Sequence, residues 1–338
     1  MSRRDSVLEA PPRRPPPSGR PRAGTHGRLR GLAIGATATT FLLVALGGLV
    51  RATGSGLGCT GWPKCSATRW FPPLQYHALI EYSHRFTAFV DIVLVALLAV
   101  VAWRRYRDAP RVFGSCMAAA GLIVVQAVLG GIVVKGDLAA LLVTAHFAAA
   151  MVLTGSLVYA TVASFTIEAR PSATADALTV AARAVAAAVF ALLVVGTYVR
   201  GQNAGLAFGD WPLMGGRLIP SVAHLPEALM FAHRALAAVV AVLVASFAVW
   251  AWRERRRQPA VAVLALSAAA LFSAQILIGA ALVWSRLGAP ARVAHVTVSS
   301  LIWGALVAAA ATARVMLPTG PKRGAGVAAI DARTEDVA

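Results

Sequence analysis

Two stretches of this chain repeat each other 149 residues apart, and the register holds without a gap from Gly47 as far as His146. GGLVRATGSGLGCTGWPKC, from Gly47, aligns with GTYVRGQNAGLAFGDWPLM, from Gly196. Downstream, His84 falls on His233, Arg85 on Arg234, Trp103 on Trp252 and Arg104 on Arg253. Gln126 then falls on Gln275, Gly130 on Gly279 and His146 on His295. Chance does not produce so many matches in one register, so the chain must fold as two versions of one unit.

The solvent for these units is lipid. Of the 338 residues, 58% are hydrophobic and 14% are charged, and the mean hydropathy is +0.69. A soluble domain carries roughly 25% charged residues. Eight apolar segments, each long enough to cross a bilayer, span 31–50, 80–103, 112–134, 139–163, 178–199, 225–252, 260–284 and 291–315. Each unit holds four of them, an even number, so both units insert in the same orientation as a parallel repeat. The expected fold is an all-α integral membrane protein of eight transmembrane helices, arranged as two four-helix bundles. Residues 31–166 form the N-terminal half and 178–315 the C-terminal half.

Net charge is +18, but the basic residues cluster between the apolar runs rather than along a groove. That distribution reads as topology and excludes a nucleic-acid partner. Residues 1–30 carry eight arginines and many prolines and are expected to be a disordered cytoplasmic tail. Arg104, Arg105, Arg107 and Arg111 follow segment 2, and Arg253, Arg255, Arg256 and Arg257 follow segment 6. The positive-inside rule then puts both termini, including the tail 316–338, in the cytoplasm. The long loops 51–79 and 200–224 face outward. No cleavable signal peptide is evident.

Four of the seven histidines belong to the repeat: His84 and His146 in one half, His233 and His295 in the other. All four lie near the outer ends of even-numbered helices. Helices 2 and 4 of a half run in the same direction, so their imidazoles reach one depth across a bundle, as a haem held on both faces requires. A lone histidine in a core is most often only hydrogen-bonded. Two duplicated pairs at membrane depth point to function. No third nitrogen or sulfur ligand lies nearby for zinc, and Glu81-x-x-His84 occurs only once, which disfavours a di-iron site. Arg51, Arg200, Arg85 and Arg234 sit at the outer interface, where they would pair with haem propionates or snorkel to lipid headgroups. Gln126 and Gln275 are expected to hydrogen-bond across helices. His77 and His224 read as unremarkable loop residues, and Cys116 as a small core residue.

The halves also differ. Cys59 and Cys65 align with Phe208 and Met214, and Glu81 aligns with Met230. Glu81 shares a helix face with His84 and is a candidate to move protons or to steady a cationic intermediate. The competing reading is an interfacial carboxylate that faces water and packs little. Cys59 and Cys65, in an outward loop, favour a disulfide, either bracing the loop or redox active. Asp91, with Val240 as its counterpart, is either a protonated structural group or part of a proton path.

GGLVRATGSGLGCTGWPKC, EYSHR and the paired histidines together resemble the haem A synthase family, from about Gly31 to Val315. The resemblance implies an oxidoreductase of the inner (plasma) membrane that converts a methyl group of haem O to a formyl group, giving haem A for cytochrome oxidase. It implies a haem B cofactor on His233 and His295, with Arg200 and Arg234 beside it. The substrate haem O would lie between His84 and His146, with Arg51 and Arg85 beside it. Glu81 would be the catalytic residue, and Cys59–Cys65 the loop disulfide. Haem O synthase and the cytochrome oxidase assembly machinery are the implied partners, the electron donor stays open, and a homo-oligomer is compatible with the pattern. Two other classes compete: a diheme electron-transfer cytochrome b, and a haem transporter or chaperone. The first does not explain why Glu81 and the cysteines occur in one half only. The second would more often show broken helices at mid-membrane.

Overall fold

The computed structural model describes residues 23–171 and 177–316. Among the described residues eight α-helices carry the chain: α1 Ala23–Ala52, α2 Tyr76–Arg105, α3 Pro110–Lys135, α4 Ala140–Phe165, α5 Ala177–Gly201, α6 Leu225–Arg253, α7 Pro259–Trp284 and α8 Ala289–Ala313. All eight are long and apolar enough to cross a membrane. Lipid offers no water to backbone N–H and C=O groups, so an apolar run must satisfy them within itself, as a helix does. Proline stands in the first turn of α3, α6, α7 and α8, where its missing N–H would have had no intrahelical partner anyway. Arginine or lysine occupies the last turn of α1, α2, α3, α5 and α6, against the negative end of the helix dipole. Two residues on either side, Arg170–Pro171 and Val315–Met316, add a short antiparallel pairing.

Helix ends fall within a few residues of the sequence reading except at α1. That helix begins at Ala23, so residues 23–30 are helical rather than part of a disordered tail. Leu29 explains the extension: it is completely buried, in the cluster formed by Ala33, Val95, Leu98 and Leu157. Residues 1–22 and 317–338, the rest of both expected tails, lie outside the described residues.

Within the first half α1 packs on α2 and α4, and α3 packs on the same two helices. Within the second half α5 packs on α6 and α8, and α7 on the same two. Each set of four thus closes a circuit in which the even-numbered helices are diagonal to each other. α1, α4, α5 and α8 make the contacts between the sets. Glycines let backbones approach there: Gly48 sits against Val296, Gly155 against Trp303, and Gly304 against Phe41. Trp303 Nε1 donates to the Met151 carbonyl across this seam at 3.0 Å.

Three turn positions share their backbone conformation in the 149-residue register. Asp137 and Leu138, in the α3–α4 turn, take left-handed φ of 50° and 59°, and their counterparts Arg286 and Leu287 take 50° and 64°. Gly54 and its counterpart Asn203 do the same at 69° and 54°. Glycine and asparagine are the residues that accept that conformation most readily.

Candidate active site

Each odd-numbered helix offers a glycine to the histidine of the next helix. A Cβ placed on Gly47 of α1 would stand 3.4 Å from Cε1 of His84, and one on Gly130 of α3 would stand 3.4 Å from Cε1 of His146. In the second half the distances are 2.9 Å from Gly196 to His233 and 3.6 Å from Gly279 to His295. At Gly196 a Cβ would overlap the imidazole, and at the other three glycines it would only touch it. Gln126 and Gln275 fasten the same arrangement, each donating from Nε2 to the backbone carbonyl of His146 or His295, at 3.1 and 2.9 Å. Gln126 Nε2 also lies 3.2 Å from His146 Nε2.

The imidazoles come in twos. His84 and His146 project from diagonal helices and lie close enough to interact electrostatically, as do His233 and His295. On all four, Nδ1 is buried with no hydrogen-bond partner. A buried polar atom left unpaired costs about 1–3 kcal/mol, and here the cost recurs four times at matching positions. Among the described residues no group of three His, Cys, Asp or Glu converges to hold a metal ion by itself. Two imidazoles brought together from diagonal helices inside each half fit a planar group ligated from both sides.

The conserved geometry extends to the loops above. Arg85 donates from Nη1 to the carbonyls of Gly61 at 2.7 Å and Lys64 at 3.3 Å. Arg234 donates from Nη1 to the carbonyls of Asp210 at 3.0 Å and Leu213 at 2.9 Å, which are the repeat counterparts of those two. Both arginines clasp a loop; Arg234 Nη2 stays buried and unpartnered. Arg51 and Arg200, at the ends of α1 and α5, face no carboxylate among the described residues. The positive charges of Arg51 and of Arg292 on α8 both reach Arg200. Arg292 escaped the sequence reading because its counterpart is Val143, so the repeat gives no signal for it.

The two loops are locked by different chemistry. In the first, Cys59 and Cys65 are joined in a disulfide. Glu81 is 4% exposed. It accepts the Cys59 N–H at 2.7 Å and pairs with Arg85 at 2.5 Å, while Arg85 Nη2 also reaches the Cys59 carbonyl at 3.3 Å. Glu81 is therefore not the loosely packed interfacial carboxylate that the sequence allows, because the loop folds over it and excludes water. In the second loop the counterparts Phe208, Met214 and Met230 form a buried apolar cluster with Val199 and Ala204. Asp210 closes the turn beyond, accepting 2.8 Å bonds from the N–H groups of Gly215 and Gly216. Those bonds hold its carboxyl below the usual aspartate range.

Three smaller placements differ from or complete the sequence reading. His77 lies in the first turn of α2, not in a loop, with Nδ1 2.9 Å from Ser55 Oγ. His224 is the N-cap of α6, and its N–H donates to Glu227. Cys116 is buried in the first half's core.

The comparisons agree with this architecture. A model of the cytochrome oxidase assembly protein family matches residues 30–78 and 73–307. A haem A synthase of Geobacillus kaustophilus is 31% identical over 279 residues, 80% of this chain and 87% of that protein. One of Symbiobacterium thermophilum is 31% identical over 82% of this chain and 93% of its own length. One of Bacillus licheniformis is 28% identical over the same shares, 82% and 93%. With eight membrane-length helices, a family model matched along most of the chain and relatives 31% identical over 80% of it or more, the chain belongs to the haem A synthase family of cytochrome oxidase assembly proteins.

Proposed function

We propose that this protein is a haem A synthase, an oxidoreductase that converts the methyl group of haem O to a formyl group and so supplies haem A to cytochrome oxidase. The observation that carries the reading is the pair of histidine pairs: four half-buried imidazoles at matching positions of the two halves, each beside a glycine and each with a buried Nδ1 that has no hydrogen-bond partner. We read the two closed circuits of helices as the two bundles of a parallel repeat, one per haem.

His233 and His295 would hold haem B, and His84 and His146 would flank the substrate haem O. Haem B, when bound, supplies one-electron transfer. The rest is the work of the chain. Gly196 lets the His233 imidazole stand where it does, Gly47, Gly130 and Gly279 lie against the other three, and Gln126 and Gln275 tie α3 to α4 and α7 to α8 at the level of the ligands. Arg51 and Arg200, at the outer ends of α1 and α5 with no carboxylate partner among the described residues, are suited to propionates, and the charge of Arg292 adds to that field. Arg85 and Arg234 act first as loop clasps. Glu81 is the carboxylate of the substrate half. Its oxygens already accept bonds from Cys59 and Arg85, so it holds the disulfide loop over the pocket, and a proton it handles is exchanged against one of those bonds. The membrane is the inner (plasma) membrane, with both termini cytoplasmic. Haem O synthase and the oxidase assembly machinery are the neighbours this activity needs.

Expression with and without a haem O synthase, followed by pigment analysis, tests the reading. Haem A that appears only with the full pathway supports it. Bis-histidine haem with no haem A in either case favours a diheme electron-transfer cytochrome instead.

A further inference from the structure

The first half contains a buried carboxyl that the haem sites do not use. Asp91 is completely buried on α2, seven residues past His84, or about 10 Å along the helix. Its Oδ2 accepts a 2.8 Å bond from Thr40 Oγ1 of α1. Its Oδ1 is buried with no partner. A carboxyl at membrane depth with a free oxygen is costly, and such groups mark function more often than packing.

Polar side chains continue from it toward the arginine-rich end of the bundle. Thr37 lies one turn from Thr40 on the same face of α1, with Oγ1 2.9 Å from Thr161 Oγ1 of α4. Ser164, fully buried one turn along α4, donates to the Thr161 carbonyl at 2.7 Å. Its own carbonyl accepts from Arg30 Nε at 3.2 Å. At the end of the bundle, Tyr106 Oη stands 3.1 Å from His26 Nδ1.

The second half supplies the control. In the 149-residue register Thr37, Thr40, Asp91, Thr161 and Ser164 become Ala186, Val189, Val240, Ala310 and Ala313. Every one of the five polar residues is replaced by alanine or valine, and Val189 and Val240 are as well buried as the pair they match. The same helix arrangement therefore packs without the polar set, and packing does not account for its presence in one half.

We propose that Asp91, Thr40, Thr37, Thr161 and Ser164 form a proton relay between the arginine-rich end of the first half and the haem pocket of that half, with Asp91 as its terminal proton store. Its use in turnover rests on the first half being the substrate half, as proposed above. What moves is a proton alone. A hydroxyl accepts one proton and passes its own onward, Asp91 takes or releases it, and no bond to carbon or iron forms or breaks in the relay. Oxidation of a methyl to a formyl group strips hydrogens from carbon, and a low-dielectric pocket must exchange protons through such groups.

Two variants copy the second half's own solution, so folding is expected of both. Thr37→Ala/Thr161→Ala interrupts the file, and Asp91→Val/Thr40→Val removes its end. The direct readout is infrared spectroscopy of the purified protein after transfer to D2O, following the Asp91 carboxyl band identified by its loss in Asp91→Val/Thr40→Val. Deuterium exchange at that band should slow by at least about tenfold in Thr37→Ala/Thr161→Ala, on the scale of a lost proton-transfer partner. Haem A formation should fall by at least about tenfold in Asp91→Val/Thr40→Val while haem content holds, and Asp91→Glu should recover part of the rate. Unchanged exchange in the first variant, or a wild-type rate of haem A formation in the second, overturns the relay. A wild-type protein that makes no haem A overturns the proposed function instead, and the exchange experiment still decides whether the file conducts.

Discussion

At the scale of single residues, the pocket depends on atoms that are absent. A methyl group on Gly196 would meet His233 at 2.9 Å, so Gly196→Ala must push the ring off its position. We expect Gly196→Ala to express and insert but to lose the low-spin bis-histidine absorption of the second haem, as His233→Ala does; haem-to-protein ratio and optical spectra check this. Glu81 gives a second expectation. In Glu81→Gln the Cys59 N–H keeps an acceptor, but the Arg85 guanidinium loses its ionic partner inside a loop that excludes water, a change worth about 1–3 kcal/mol. The variant should therefore melt at lower temperature, keep its haem spectrum and lose haem A formation. A normal rate of haem A formation would make the carboxylate a purely structural clasp. The histidines were legible from the sequence because the repeat doubles them. Thr37, Thr40, Thr161 and Ser164 were not, because a hydroxyl in a membrane helix is commonplace until its neighbours across the bundle are known.

At the scale of elements, the two outward loops perform one task by different means. A disulfide and an ion pair close the first, an apolar cluster and a carboxylate-capped glycine turn close the second, and an arginine from the following helix clasps each. Reduction should therefore loosen the first loop alone; limited proteolysis with and without reductant, read by mass spectrometry, distinguishes the loops. Acid should act on the second. Asp210 is held below its ordinary range by the Gly215 and Gly216 N–H groups, so its contribution is present above the unfolded-state pKa of about 3.9 and is lost as pH falls through the lower folded value. Proteolysis at the second loop should stay slow at mildly acidic pH and rise only below the usual carboxylate range, whereas Asp210→Asn should be insensitive to this change.

At the scale of the whole molecule, the halves meet through α1, α4, α5 and α8, where glycines permit close approach. Gly304→Leu would drive a branched side chain into Phe41, and we expect it to reduce the yield of monodisperse protein in detergent, which size-exclusion chromatography measures. Hydropathy, charge and the repeat determined the helix count, the pairing of residues between halves and the four histidines, since each is a periodic or duplicated property written along one strand of sequence. The eight-residue extension of α1, the burial of Glu81 beneath its loop, the placing of Arg292 where its charge reaches Arg200, and the hydroxyls of α1 and α4 near Asp91 were decided only by tertiary structure. Each depends on which faces of helices distant in sequence come together, and no local pattern records that.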